Sequence, residues 1–242
     1  MNKVQISIVV PCLNEQEFIG NTLDTIAAHA QELPLIEVIL LDSGSIDRTT
    51  EIAKNYAFCQ VFAHSELKGK KYALLNQGAQ YARGEILVFL DADTLLPVDY
   101  DSAITQVISA GYGGGAFEFS LDERGIALRF IEFVNRIRYR LGQRYYGDQA
   151  VFCTKAVFDL VDGFPKRPIL ESAHFCKKLL KVCKLHLITK KIITSSRRFT
   201  QHRLGPLWVL MVDTRVFLLD KLGFHNRKFA KKYWQFNESS ED

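Results

Sequence analysis

Two carboxylates, Asp91 and Asp93, stand one residue apart directly after an uninterrupted apolar run, residues 86–90. Five consecutive apolar side chains leave no solvent-facing side, which is typical of a central parallel strand covered on both faces. If the extended backbone continues, the two carboxylates project to the same side. Carboxylates that close repel each other unless a cation or several donors lie between them. The pair therefore predicts either a divalent-metal and phosphate site at a sheet edge or a strand-ending turn that caps a helix near Pro97.

The bulk composition limits the protein classes that fit. A chain of 242 residues with 48% hydrophobic residues can bury a full core, as one domain or as one domain with an extension. The net charge of +4 is too small to imply a nucleic-acid partner. Five cysteines without a C-x-x-C pair favour reduced thiols and argue against zinc. Because no secretion signal and no run of about 20 apolar residues is present, we expect a cytoplasmic protein.

The first 97 residues alternate between strand and helix patterns. Strands are predicted at residues 6–10, 36–41, 61–62 and 85–90. The first helix is predicted to open with a capping box formed by Asn14 and Glu17. Repeated strand–helix units predict a parallel sheet with helices on both faces.

Polar residues gather in the loops that follow these strands, where such sheets bind ligands. They are Pro11, Asn14 and Glu15 after the first strand, Asp42, Gly44 and Ser45 after the second, Asp91 and Asp93 after the fourth, and Lys70 at a helix start nearby. The sequence contains no G-x-G-x-x-G motif, which argues against a dinucleotide bound as in a Rossmann fold. It contains no P-loop motif either. A nucleotide can still be held by carboxylates that bind its ribose or base, together with a metal that binds its diphosphate.

Four segments in the right order, residues 10–15, 42–49, 69–78 and 89–93, resemble family 2 glycosyltransferases of the GT-A fold. The resemblance implies a GT-A α/β fold, a nucleotide-diphosphate-sugar donor and a divalent metal, Mn²⁺ or Mg²⁺. It implies that the first two loops bind the donor nucleotide, with Asp42 at the base and Asp91 at the ribose. It also implies that Asp93 binds the metal and Lys70 a phosphate or another part of the donor.

The second half of the chain sharpens this resemblance. Gly147-Asp148-Gln149, Gly163-Phe164-Pro165 and residues 194–199 look like a bacterial subgroup of the same family. By this likeness Arg197 and Arg198 are expected at the diphosphate, and His202 is a candidate to complete the metal shell.

One departure from the subgroup concerns the general base. Where the subgroup has Glu-Asp at the start of a helix, with the aspartate as base, this chain has Glu171-Ser172. Serine at its ordinary pKa cannot be that base. Three alternatives follow: Glu171 is the base, Asp148 is the base, or the protein is a catalytically weakened nucleotide-sugar-binding protein. The first two predict an enzyme, which the family resemblance makes inverting, and which acts on an acceptor hydroxyl of a saccharide, lipid or small molecule.

Two later segments leave their surface role open. Residues 124–143 form a basic amphipathic pattern, which either packs on the core with a solvated arginine face or touches anionic lipid or a phosphorylated acceptor. Residues 206–222 are apolar but carry Asp213 and Arg215, so that a docked helix, a membrane-surface helix at the inner membrane or a homodimer face is favoured over a membrane span. We expect a GT-A domain over 1–203, with a donor half 1–97 and an acceptor half 98–203, and a helical extension over 204–242.

Overall fold

The computed structural model describes residues 4–142, 145–200 and 205–221. The strands are β1 (Ile6–Cys12), β2 (Ile36–Asp42), β3 (Cys59–Ala63), β4 (Ile86–Phe89), β5 (Thr94–Leu95), β6 (Gly114–Leu121), β7 (Val151–Thr154) and β8 (Leu185–Thr194). The helices are α1 (Ile19–His29), α2 (Thr49–Ala53), α3 (Lys71–Tyr81), α4 (Tyr100–Ser109), α5 (Ile126–Gly142), α6 (Lys155–Leu160), α7 (Glu171–Leu179), α8 (Arg197–Thr200) and α9 (Pro206–Lys221).

The described strands form one eight-stranded sheet in the order β3-β2-β1-β4-β7-β6-β8-β5. β3, β2, β1 and β4 are parallel, as the strand–helix repeats predict. β7 then runs antiparallel to β4, with Val151 opposite Phe89. Because of this reversal, the residues that precede β7 lie at the same sheet edge as the residues that follow β4.

The sheet separates two hydrophobic clusters, and helices cover both of its faces. One face packs α1 and α4 against the sheet, and the other packs α3, α5, α6, α7 and α9. β1, β2 and β4 are buried on both faces, which explains why their sequences are mostly apolar, with Ser7 in β1 and Glu37 in β2 as buried polar exceptions. Close packing of α3 depends on Gly78, since a Cβ there would lie 2.4 Å from Val9 Cγ1.

Three local expectations from the sequence are not met. α1 begins at Ile19, and Asn14 does not cap it: Asn14 adopts a left-handed backbone (φ +54°) and bonds to the next loop. β4 ends at Phe89, so Asp91 and Asp93 lie in and beside a turn rather than on an extended strand. That turn leads into β5, and α4 begins only at Tyr100, so the Asp-x-Asp pair does not cap a helix near Pro97.

The last described helix, α9, packs against α5 and α8. Val209 and Val216 face inward and are buried. No helix in the described part of the chain is long and apolar enough to cross a membrane. The predicted boundary at 203/204 falls at residues 201–204, which lie outside the described residues.

Candidate functional site

The loops after β1 and β2 are joined by hydrogen bonds at the carboxyl edge of the sheet. The Asn14 N–H donates to Ser45 Oγ at 2.9 Å, and Asn14 Oδ1 accepts from the Ile46 N–H at 2.9 Å. The Glu15 N–H donates to Thr49 Oγ1 at 2.7 Å. These bonds hold the two predicted nucleotide loops together before any ligand arrives. Pro11 lies within β1.

Asp42 shapes the second loop from within. Its carboxylate is buried and accepts from the N–H groups of Gly44 and Ser45 at 3.1–3.2 Å. Gly44 has φ +104°, a left-handed conformation that favours glycine. The loop therefore depends on Asp42 and Gly44 for its shape.

Arg197 joins two carboxylates that are far apart in sequence. Its Nη2 lies 2.7 Å from Glu15 Oε1 and 3.2 Å from Asp93 Oδ2, and its guanidinium stacks on the Phe18 ring at 4.4 Å. Pairing of β5 with the end of β8 brings the arginine there, and the Ser195 N–H donates to the Asp93 carbonyl at 3.2 Å. The positive charge of Arg197 thus lies between the first loop and the Asp-x-Asp turn.

Both carboxylates beside Arg197 resist ionisation. Burial raises the pKa of Glu15, against the opposing effect of Arg197. Burial, followed by repulsion from Asp91, raises the pKa of Asp93. Among the described residues, Glu15 Oε2 is buried and accepts no hydrogen bond. The pair therefore has spare capacity for a cation.

Lys71 is the second cation of the site. Its Nζ lies 2.5 Å from Asp91 Oδ1 and 4.0 Å from Glu171 Oε1. Burial acts to lower the pKa of Lys71, but attraction to Asp91 and Glu171 outweighs it and the pKa is raised. The predicted Lys70 is exposed and donates to the Glu66 carbonyl at 3.1 Å, so the lysine that reaches the carboxylates is its neighbour.

Asp148 enters the same cluster from the 3₁₀ turn that precedes β7. A Cβ on the adjacent Gly147 would lie 3.0 Å from Lys71 Nζ and 3.1 Å from Asp91 Oδ2, so the turn runs against that ion pair. Burial, followed by repulsion from Asp91, raises the pKa of Asp148 to about 6. A carboxyl group with such a pKa is suited to proton transfer near neutral pH.

Glu171 and Ser172 begin α7 and are both buried. Burial raises the pKa of Glu171, and Lys71 opposes that rise. Asn76 fixes the loop that leads towards this helix: its side chain donates to the Phe164 carbonyl at 3.0 Å and accepts from the Phe164 N–H at 2.8 Å. The Gly-Phe-Pro element thus holds the entry to α7 in place.

The two predicted diphosphate arginines differ in position. Arg197 lies among the carboxylates, whereas Arg198 pairs with Asp213 of α9 and stabilises the charge of Asp148 from a distance. The predicted metal ligand His202 lies outside the described residues.

The sequence alone did not identify Lys71 and Phe18 as residues of the site. A signal for Lys71 was present, because Leu74, Leu75 and Gly78 follow it at spacings of three, four and seven residues and are buried. That stripe is the inward face of α3, and Lys71 heads it while Lys70 does not. No sequence signal pairs Phe18 with Arg197.

The sheet order and the helical layers on its two faces are those of the GT-A class of nucleotide-diphospho-sugar transferase folds. Residues 7–158 match the sequence model of the family described as glycosyl transferase family 2. The chain belongs to that family, which confirms the resemblance in its sequence.

Two relatives show how much of the chain is shared. It is 29% identical over 174 residues to glycosyltransferase AglE of Haloferax volcanii, covering 68% of this chain and 57% of that protein. It is 36% identical over 98 residues to poly-beta-1,6-N-acetyl-D-glucosamine synthase of Staphylococcus epidermidis, covering 39% of this chain and 23% of that protein. The chain thus spans just over half the length of the first relative and about a quarter of the second.

Solved structures agree on the fold. S. aureus TarS 1-349 in complex with UDP superposes with a TM-score of 0.65 at 20% identity, covering 79% of this chain and 60% of that chain. Mannosyltransferase PcManGT from Pyrobaculum calidifontis, in complex with GDP-Man and Mn²⁺, superposes with a TM-score of 0.62 at 22% identity, covering 80% and 57%. At these identities the likeness establishes the GT-A fold.

Proposed function

We propose that the protein transfers a sugar from a nucleotide-diphosphate-sugar donor to an acceptor hydroxyl, with inversion at the anomeric carbon. The observation that carries this proposal is the meeting of five carboxylates with two cations at one sheet edge. They are Glu15, Asp91, Asp93, Asp148 and Glu171, with Lys71 and Arg197. Membership of the transferase family supports this reading over that of a donor-binding protein.

The donor nucleotide is proposed to bind where the loops after β1 and β2 are joined. Pro11, Asn14 and Ser45 belong to these loops, and Asp42 with Gly44 sets their shape. TarS was solved with UDP and with UDP-GlcNAc, and PcManGT with GDP-Man, which supports a nucleotide-sugar as the ligand class. Asp91 is the proposed ribose contact, and Lys71 would hold its carboxylate in position.

A divalent ion fits beside Asp93. The buried Glu15 Oε2 without a hydrogen-bond donor and the raised pKa of Asp93 both indicate a place where additional positive charge is favourable. No group of three metal-ligating side chains occurs in the part of the chain that the structure describes. This suits an ion held by one or two carboxylates and completed by diphosphate oxygens, as Mg²⁺ and similar ions often are. Bound there, Mn²⁺ or Mg²⁺ would neutralise charge on the departing diphosphate.

The protein's own residues would handle the proton and the remaining charge. The acceptor oxygen forms the new bond to the anomeric carbon while the bond to the diphosphate breaks, and the diphosphate leaves with the electron pair. Asp148 is the proposed base that takes the acceptor proton, since its pKa of about 6 leaves it ionised yet basic at pH 7. Glu171 is the second candidate. Arg197 would provide a charge-assisted hydrogen bond to the diphosphate.

A ligand panel tests the proposal. UDP-, GDP- and dTDP-sugars are screened by thermal shift with and without Mn²⁺, and the stabilising donor is then assayed for release of nucleoside diphosphate. We expect one donor class to stabilise the fold more strongly with Mn²⁺, followed by transfer or slow hydrolysis. Stabilisation without any turnover would favour the donor-binding protein, and no stabilisation by any nucleotide would refute the donor site itself.

A further inference from the structure

The outward face of α5 carries an exposed apolar stripe. Ile126, Phe130, Phe133 and Ile137 follow one another at spacings of four, three and four residues, which places them on one side of the helix. Each is between 45% and 92% exposed. Two phenylalanines and two isoleucines in one continuous row differ from the scattered apolar residues that most protein surfaces show.

The neighbouring helix α9 continues this apolar surface. Its exposed large side chains are Leu207, Trp208, Met211 and Leu218, at 38% to 57% exposure. α5 and α9 contact each other, and their inward residues belong to one hydrophobic cluster. Because both helices lie over the same core, their outward faces lie on the same side of the molecule. We call these eight residues the α5–α9 face.

The acidic and the basic residues of the two helices differ in where they point. All three acidic residues have inward or lateral partners: Glu132 accepts from the Leu121 N–H at 2.7 Å, Asp213 pairs with Arg198, and Asp220 lies 2.9 Å from His174 Nε2. The exposed charged residues on the described surface of these helices are Arg129, Arg140 and Arg215, of which Arg140 also lies 3.4 Å from the buried Glu118. The α5–α9 face is therefore apolar with arginines only among its exposed charges.

We propose that the α5–α9 face docks on an anionic lipid bilayer. Aromatic and aliphatic side chains with interspersed arginines are the pattern of helices that lie in the plane of a membrane interface. Arginine stems cover apolar surface while their guanidinium groups reach anionic headgroups. A second copy of this chain is a poorer occupant, since a two-fold contact would bring the arginines of both copies together, and the described parts of α5 and α9 offer no exposed acidic residue to meet them.

The helix that carries half of the α5–α9 face also contacts the proposed active site. Arg138 of α5 stacks on the Tyr146 ring at 4.1 Å, directly beside the turn that carries Asp148. The bilayer proposal does not depend on sugar transfer, because it concerns a surface rather than the carboxylate cluster. Its test is therefore made on vesicle binding, without a donor.

Sedimentation with vesicles tests the docking surface on the full chain. One set of vesicles contains phosphatidylcholine alone, and the other includes about 30% phosphatidylglycerol. We expect the protein to sediment with the anionic vesicles and not with the neutral ones. Its bound fraction should fall several-fold when salt rises from about 0.1 M to 0.5 M, because the Debye length shrinks.

Two variants remove the two parts of the surface separately. The double change Phe130→Ser and Phe133→Ser removes apolar area, and Arg129→Glu reverses an exposed charge; each is expected to lower binding to anionic vesicles at least about tenfold. Leu160→Ser on α6 and Lys181→Glu after α7 are matched controls, since both residues are exposed elsewhere. All four variants are checked for an unchanged thermal midpoint.

The outcomes separate the occupants of this face. Equal vesicle binding by Arg129→Glu and Lys181→Glu would overturn the proposal, as would binding to neutral vesicles as strong as to anionic ones. A concentration-dependent dimer in light scattering that Phe130→Ser/Phe133→Ser abolishes, without any vesicle binding, would instead assign the α5–α9 face to a second copy.

Discussion

Replacing Asp148 with asparagine is expected to stabilise the protein at pH 8 and to leave its stability almost unchanged at pH 4.5. Burial and then repulsion from Asp91 raise the pKa of Asp148 from 3.8 to about 6. Between these values the folded state binds a proton that the unfolded chain has released. The stability contributed by this group is therefore fully present below pH 3.8 and is lost as the pH rises through 6.

The size of the effect follows from those two values. At pH 8 the ionised Asp148 is about 3 kcal/mol less favourable in the folded than in the unfolded state. At pH 4.5 the folded group is mostly protonated, so the unfavourable contribution of Asp148 to folding falls to about 1 kcal/mol. The amide of asparagine needs new partners in a buried position, which costs about 1 kcal/mol. The net gain is thus about 2 kcal/mol at pH 8 and close to zero at pH 4.5.

Urea unfolding followed by far-ultraviolet circular dichroism at both pH values measures this difference. Asp159→Asn is the matched control, because Asp159 is an exposed carboxylate on α6 that does not belong to the carboxylate cluster. If Asp148→Asn destabilises the protein at pH 8, or changes stability by the same amount at both pH values, the assigned environment of Asp148 is wrong.

The remaining predictions concern the other members of the cluster. Asp93→Asn should remove the Mn²⁺ dependence of donor binding, measured by titration calorimetry, and an unchanged dependence would remove Asp93 from the metal site. Asp148→Asn should lower kcat about 10²- to 10⁴-fold with little change in donor affinity, whereas Glu171→Gln should have a smaller effect; the reverse order would make Glu171 the base. Lys71→Met should cost about 2–3 kcal/mol in urea unfolding at pH 8 by leaving Asp91 and Glu171 without their cation, while Lys70→Met should cost almost nothing.

The first half of the fold was predictable because its signals are local. Mostly apolar runs identify β1, β2 and β4, and the polar loops after them identify the edge where such sheets bind ligands. The side-chain roles within those loops were less predictable. Asn14 has the residue type of a helix cap, yet it uses the same hydrogen-bonding groups to hold the second loop at Ile46.

The contacts that build the site depend on pairings distant in sequence. Arg197 reaches Glu15 across 182 positions, and only the pairing of β5 with β8 brings them together. The apolar and polar residues of 185–194 do not alternate regularly, so this strand lacks the period-two signal of a half-buried strand. The turn at Asp148 reaches Asp91 for a similar reason, since β7 runs antiparallel to β4. The family resemblance identified these motifs, but which residues they contact could be determined only from the folded structure.

The arrangement of the two cations gives a physical reason to prefer Asp148 as the base. Arg197 is shared by Glu15 and Asp93, and Lys71 contacts Asp91 and lies 4.0 Å from Glu171. A carboxylate held by a cation loses basicity, because the cation stabilises the ionised form. Within the described residues Asp148 has no direct ion pair, and the cations of Arg138, Lys71 and Arg198 act on it only from a distance. Asp148 is therefore the carboxylate that we propose as the base, in place of the aspartate that the subgroup has where this chain has Ser172.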